Sequence, residues 1–147
     1  MELSGEIKMQ GITGDNKRRD EKNIYEWQPP EEGWVKLNCD GADNLQLGKA
    51  IVGVIARDKK GSVLAGVGRI VHADEPEVTE ALAIKTGIKL AKEQGYQKVV
   101  IESFSRNVIE KVKGNSGSYH WKTKPIVASI EGYTRWFHEV KFMHVKR

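Results

Sequence analysis

At 147 residues and 39% hydrophobic composition, the chain is long enough to bury one core but not two, so a single globular domain is expected. Its one cysteine, Cys39, rules out an internal disulfide framework and fits a reducing compartment. The formal charge of +4 is uneven: residues 1–30 hold five basic and six acidic side chains, leaving 19 basic against 14 acidic beyond them. A surplus of that size is compatible with a polyanionic partner, yet many proteins without one are equally basic.

The opening residues Met1 to Met9 contain no apolar run of signal-peptide length, and no segment approaches the roughly 20 apolar residues of a membrane span. An intracellular protein, nuclear or cytoplasmic and neither secreted nor membrane-bound, is expected. Residues 1 to about 26 are polar and lack apolar periodicity, and they include the charged run Lys17-Arg18-Arg19-Asp20-Glu21-Lys22. That run reads as a solvated stretch, with a weak nuclear-import signal as the alternative. Residues 1–30 are accordingly expected to be a flexible polar tail and 31–147 the folded domain, with Pro29-Pro30 at the boundary.

From Trp34 the chain alternates, with Val35, Leu37 and Cys39 on one side and Lys36, Asn38 and Asp40 on the other, the period of a strand with two unlike faces. Ala50–Arg57 and Ser62–Val71 are β-branched runs joined by Asp58-Lys59-Lys60-Gly61, a hairpin composition. Pro76–Gln94 reads as a helix: proline suits its first turn, Asp74 and Glu75 favour its positive end, and Gly95 follows its last turn. Lys98–Ser103 is a fourth strand, and Ser103 or Ser105 caps a short helix that stops at Gly114. Pro125 opens a last helix in which Ile126, Ile130, Tyr133 and Phe137 form an apolar stripe, and Val140–Val145 is a fifth strand. Three strands, helix, strand, two helices and strand predict an α/β domain: a mixed sheet with helices packed on it.

Two carboxylates stand out. Glu80 projects from the side of the first helix that carries Ala81, Ala83, Ile84, Gly87, Ile88, Leu90 and Ala91, while Thr79, Lys85, Thr86, Lys89, Lys92 and Glu93 are expected on the opposite, solvent side. A buried, unpaired carboxylate is costly, so Glu80 needs a cation, a hydrogen-bond donor or a metal ion. Asp40 ends a strand on its polar face, where Asp-Gly also serves simply as a turn. An Asp at a strand end beside a Glu on a neighbouring helix can bind Mg²⁺, which favours oxygen ligands.

In order, Trp34-Val-Lys-Leu-Asn-Cys-Asp40-Gly-Ala, Thr79-Glu80-Ala-Leu-Ala, Val99-Val-Ile-Glu-Ser-Phe104-Ser105 and Phe142-Met-His-Val resemble the plant-type ribonuclease H-like domain of the reverse-transcriptase-like branch of the ribonuclease H superfamily. The likeness spans roughly Trp27 to Arg147 and includes the Gln-Pro-Pro-Glu-Glu-Gly-Trp lead-in. It implies a five-stranded mixed sheet flanked by helices, with acidic residues at its centre holding two Mg²⁺ ions that hydrolyse the RNA of RNA/DNA hybrids. On that pattern Asp40 is the ligand shared by both metals and Glu80 the helix ligand. The third family carboxylate falls at Phe104, which cannot ligate a metal. Glu102 lies two residues earlier on the same strand face, about 7 Å back. The fourth belongs to a final helix beyond the His-Val-Lys/Arg motif, which this sequence lacks after Arg147. Mg²⁺ is therefore expected to bind weakly or not at all, and His144 to be structural.

Lys122, Lys124, Arg106 and Lys111, interleaved with Tyr119, His120 and Trp121, read either as phosphate and base contacts or as a solvated loop. Gly41, Ser105, Arg106, Trp121 and Lys122 make up the candidate nucleic-acid contact set. Three readings stand: a catalytically degenerate nucleic-acid-binding domain for RNA/DNA hybrid or RNA, an active Mg²⁺-dependent hybrid ribonuclease in which Glu102 or a substrate phosphate completes the coordination, and a protein-interaction scaffold. A protein partner is left open by all of them.

Overall fold

A computed structural model describes residues 27–115 and 120–147, together with the backbone of residues 6–10. The strands are β1 (Glu6–Gln10), β2 (Val35–Asn44), β3 (Lys49–Arg57), β4 (Val63–His72), β5 (Lys98–Ser103) and β6 (Glu139–His144). The helices are α1 (Pro76–Glu93), α2 (Arg106–Val112) and α3 (Thr123–Tyr133). Together they form one sheet of order β1-β4-β3-β2-β5-β6. Strands β2, β3 and β4 make an antiparallel meander, and β5 and β6 add parallel to β2, so the sheet is mixed as its connections require.

The five strands read from the sequence are all present. The sixth is β1, which pairs antiparallel with β4 from Glu6 opposite Arg69 to Gln10 opposite Ala65. It lies inside the segment expected to be a flexible polar tail, although Ile7 and Met9 alternate with Glu6, Lys8 and Gln10, a period too short to stand out from its polar surroundings. The domain boundary also moves. Trp27 sits with its ring 5.5 Å from Lys36 Nζ and 6.0 Å from the Arg57 guanidinium, Gln28 accepts a hydrogen bond from Lys36 through its carbonyl, and Pro30 is buried. The lead-in is part of the folded unit.

Alternation sorts the sheet into two faces. Leu37, Cys39, Val52, Val54, Ala56, Ala65, Val67, Val99 and Ile101 are buried, and α1 covers this face with Ala81, Ala83, Ile84, Ile88, Leu90 and Ala91. The approach is close: a Cβ at Gly87 would collide with Cys39 Sγ, so only glycine lets the helix settle against β2. α3 packs against α1 through the buried Val127 and Ile130. Thr79 and Thr86, expected in solvent, are buried on α1 because its covered arc is wider than the apolar stripe alone; the Thr86 hydroxyl donates to the Leu82 carbonyl at 2.7 Å.

The hairpin and caps follow their residue types. Asp58 accepts hydrogen bonds at its side chain from the Lys60 and Ser62 amides, which closes the β3–β4 turn. Ser105 caps α2 by accepting from the Val108 amide at 3.3 Å. α3 ends at Tyr133 and tightens into a 3₁₀ turn over Thr134–Trp136, so Phe137 lies beyond the helical stripe expected to include it.

Candidate functional site

Asp40 lies in the middle of β2, which runs on past the expected end at Asp40-Gly41 to Asn44; it comes one residue after the last parallel pair, Cys39 opposite Ser103, so Phe104 follows at the same level. The middle of β2 and the end of β5 thus bring Asp40 and Phe104 to one spot, where both meet Arg147. Gly41 comes next, and a Cβ there would overlap Thr79 Cγ2 and lie 3.1 Å from Glu80 Oε1. Its role in the structure is to let the first turns of α1 press against β2, which brings Glu80 beside Asp40.

The electrostatics of this corner are unbalanced. Burial, and after it the negative charges of Asp40 and Asp43, push the Glu80 carboxyl up to about 7, against the opposing pull of Arg147 and the Gly41 amide. Asp43 enters from β2, where it accepts a hydrogen bond from the Thr79 hydroxyl. Asp40 is held by two donors at the same oxygen: Oδ1 accepts from its neighbour Gly41 N at 2.9 Å and from Arg147 Nη2 at 2.9 Å. The same guanidinium lies 4.3 Å from the Phe104 ring centroid, and the Val145 amide donates to the Ser103 carbonyl at 2.9 Å, which ties the segment that carries Arg147 to the end of β5. Arg147 and Asp43 had no motif to mark them in the sequence.

Glu102 is committed elsewhere. It is buried, pairs with Lys36 Nζ at 3.0 Å and accepts from Asn38 Nδ2 at 2.6 Å. Both of its oxygens are therefore spent on β2, and it does not complete a metal site with Asp40. Among the described residues no group of three or more histidine, cysteine, aspartate or glutamate side chains is arranged to hold a metal ion. Two carboxylates, one held by a guanidinium and the other half-protonated near neutral pH, beside a phenylalanine, do not fit a pair of Mg²⁺ ions, each of which needs several oxygen ligands.

The remaining candidates fall in two places. Trp121 is 74% exposed, stacked on His120 at 5.7 Å between ring centroids, with Lys122 Nζ 5.4 Å from its own ring. This loop is moored to the start of α1: Lys122 pairs with Asp74 at 2.6 Å, His120 Nε2 lies 3.7 Å from Glu75, and the His120 amide donates to Glu77 at 2.9 Å. The Lys122 contact holds the Asp74 carboxyl below its usual range. Arg106 is exposed beside Ser105 at the start of α2, while Lys124 is exposed at the start of α3. Lys111 is buried and engaged, which removes it from the phosphate contacts expected of it. Tyr119 lies outside the described residues.

A mixed sheet of this order, with an Asp on a central strand and a Glu on the first helix, is that of a ribonuclease H-like domain. The chain belongs to the reverse transcriptase-like family, whose model matches residues 38–147. No curated protein is significantly similar in sequence. Among solved structures, RNase H1 from the halophilic archaeon Halobacterium salinarum is 19% identical with a TM-score of 0.72, over 78% of this chain and 86% of that one. The N-terminal RNase H domain of a Mycobacterium tuberculosis protein is 20% identical with a TM-score of 0.70, over 78% and 83%. LC11-RNase H1, solved with an RNA/DNA hybrid, is 19% identical with a TM-score of 0.68, over 77% and 86%. At these identities the likeness carries the fold. No helix among the described residues is long and apolar enough to cross a membrane.

Proposed function

We propose that this domain binds nucleic acid, RNA/DNA hybrid or RNA, and does not cleave it. The observation that carries the reading is Arg147: its guanidinium bonds Asp40 at 2.9 Å and lies against Phe104 at 4.3 Å, an organic cation in the position where the family resemblance calls for metal ions. Asp40, Glu80 and Phe104 then constitute a remnant centre whose negative charge is partly offset by a cation of the chain itself. Gly41, Ser105, Arg106, Trp121 and Lys122 are the proposed contacts, with Trp121 offering a base-stacking face and Arg106 a phosphate contact. The hybrid bound by a structural neighbour supports that choice of ligand. An intracellular location, nuclear or cytoplasmic, goes with it.

The test is a labelled RNA/DNA hybrid assayed for binding and cleavage together, with Mg²⁺ and separately Mn²⁺, for wild type and Phe104→Asp. Salt-sensitive binding without cleavage by wild type is the expected result. Metal-dependent cleavage by wild type that disappears in Asp40→Asn overturns the reading in favour of an active ribonuclease. Negligible binding even at low salt overturns it in favour of a protein-interaction scaffold.

A further inference from the structure

An open groove of about 450 Å³ runs between α2 and the edge strand β6, next to the remnant centre but not part of it. Arg106 and Lys113 line it from α2 and the turn that follows, His144 and Lys146 from the end of β6 and the segment beyond, and Phe142 and Met143 from the strand. Arg106, Lys113 and Lys146 are all exposed. Among the described residues none of these three makes an ion pair, although Glu110 lies in the same groove. The Glu110 carboxylate accepts instead from Asn115 Nδ2. Three cations against the single carboxylate of Glu110 leave the groove net positive, and an anion that enters relieves their repulsion.

The groove is larger than a lone phosphate requires, and its size is that of a site for one small organic group. Its walls are not wholly polar: Met143 is 43% exposed and Phe142 lies beside it. Cations beside a thioether and an aromatic ring suit a phosphodiester whose base lies flat on an apolar surface. In a duplex the base faces are already stacked, so this surface is open only to an unpaired nucleotide. The connection to the remnant centre is direct, since Lys146 lines the groove while its neighbour Arg147 holds Asp40.

We propose that the α2–β6 groove binds a single-stranded segment that continues from nucleic acid bound at the remnant centre, its phosphates on Arg106, Lys113 and Lys146 and a base on Met143. This rests on the reading of the chain as a nucleic-acid binder, and it adds a second subsite with its own ligand.

The experiment compares a blunt RNA/DNA hybrid with the same hybrid carrying a single-stranded extension of about six nucleotides, at either end, by fluorescence anisotropy. The extension should tighten wild-type binding about tenfold, and Lys113→Glu/Lys146→Glu should abolish that gain while changing blunt-hybrid affinity far less. An extension without effect on wild type, or a double variant that weakens both ligands equally, overturns the proposal. Both lysines are exposed, so the variant should retain its backbone amide spectrum. A second readout uses wild type alone, titrated with a short oligonucleotide: amide shifts gathered at Arg106, Lys113, Met143 and His144 support the groove, and shifts confined to Trp121 or absent overturn it. Failure of the blunt hybrid to bind would instead count against the general reading, and the oligonucleotide titration would still decide the groove.

Discussion

Replacing Glu80 by Gln isolates the most perturbed carboxyl at the remnant centre. Its pKa rises from 4.5 to about 7 in the folded chain, mainly by burial, so the folded state holds a proton that the unfolded state has released. A raised carboxyl works against the folded state on ionisation: its protonated form is tolerated below about 4.5, and stability is lost as pH climbs through about 7. The full shift corresponds to about 3 kcal/mol at 1.36 kcal/mol per unit, and because the side chain is only half-buried, solvent screening reduces this to about 1 to 2 kcal/mol. Glutamine keeps the shape of the protonated acid without its titration. Urea unfolding of both proteins in EDTA at pH 5 and pH 7.5 should show Glu80→Gln gaining about 1 to 2 kcal/mol on wild type at the higher pH. Parallel curves, or a wild type that gains on the variant as pH rises, would refute the argument, because they would mean that Arg147 and the Gly41 amide already outweigh burial and the carboxylates of Asp40 and Asp43.

Lys36→Met leaves Glu102 buried and without its cation, and should destabilise the domain by about 3 to 5 kcal/mol in chemical denaturation, whereas Lys36→Met/Glu102→Leu should recover much of the loss. If the single and double variants unfold at the same denaturant concentration, the pair does not matter in this way. Trp121→Ala removes an exposed ring that packs on no core residue, so it should leave the unfolding midpoint unchanged while weakening hybrid binding by about 1 kcal/mol or more, roughly fivefold, in anisotropy titrations.

The central sheet and α1 were legible because their signals are periodic. Val35, Leu37 and Cys39 alternate with Lys36, Asn38 and Asp40, and the apolar residues of α1 recur at helical spacing, so each element announced its own buried face. Glu80 stood out because a carboxylate on the apolar side of a helix demands an explanation, whereas Asp40, on the polar face of its strand, was marked by the motif resemblance; the structure sets the two near each other. Arg147 was not, because its partners Asp40 and Phe104 are brought to it only by the sheet, and nothing near it in sequence marks the contact. The pairing of Lys36 with Glu102 was not legible, because a polar face of a strand reads as solvent-facing, and Glu102 was weighed instead as a metal ligand. β1 escaped notice because an alternation with only Ile7 and Met9 apolar is a weak signal inside a polar stretch until β4 pairs with it.

The parallel seam between β2 and β5 also bears on how the chain reaches this structure. The meander from Val35 to His72 closes through short turns and uses only local contacts, but the other side of β2 waits for a strand some 64 residues away, as the Asn38 bond to Glu102 records. During synthesis the meander can therefore assemble early with one edge of β2 unpaired and Lys36 lacking its carboxylate. A lysine on an open edge opposes strand pairing with other chains. The lysine that neutralises the buried Glu102 in the finished domain is thus the one that guards the unfinished edge, and its two roles follow one another as β5 docks.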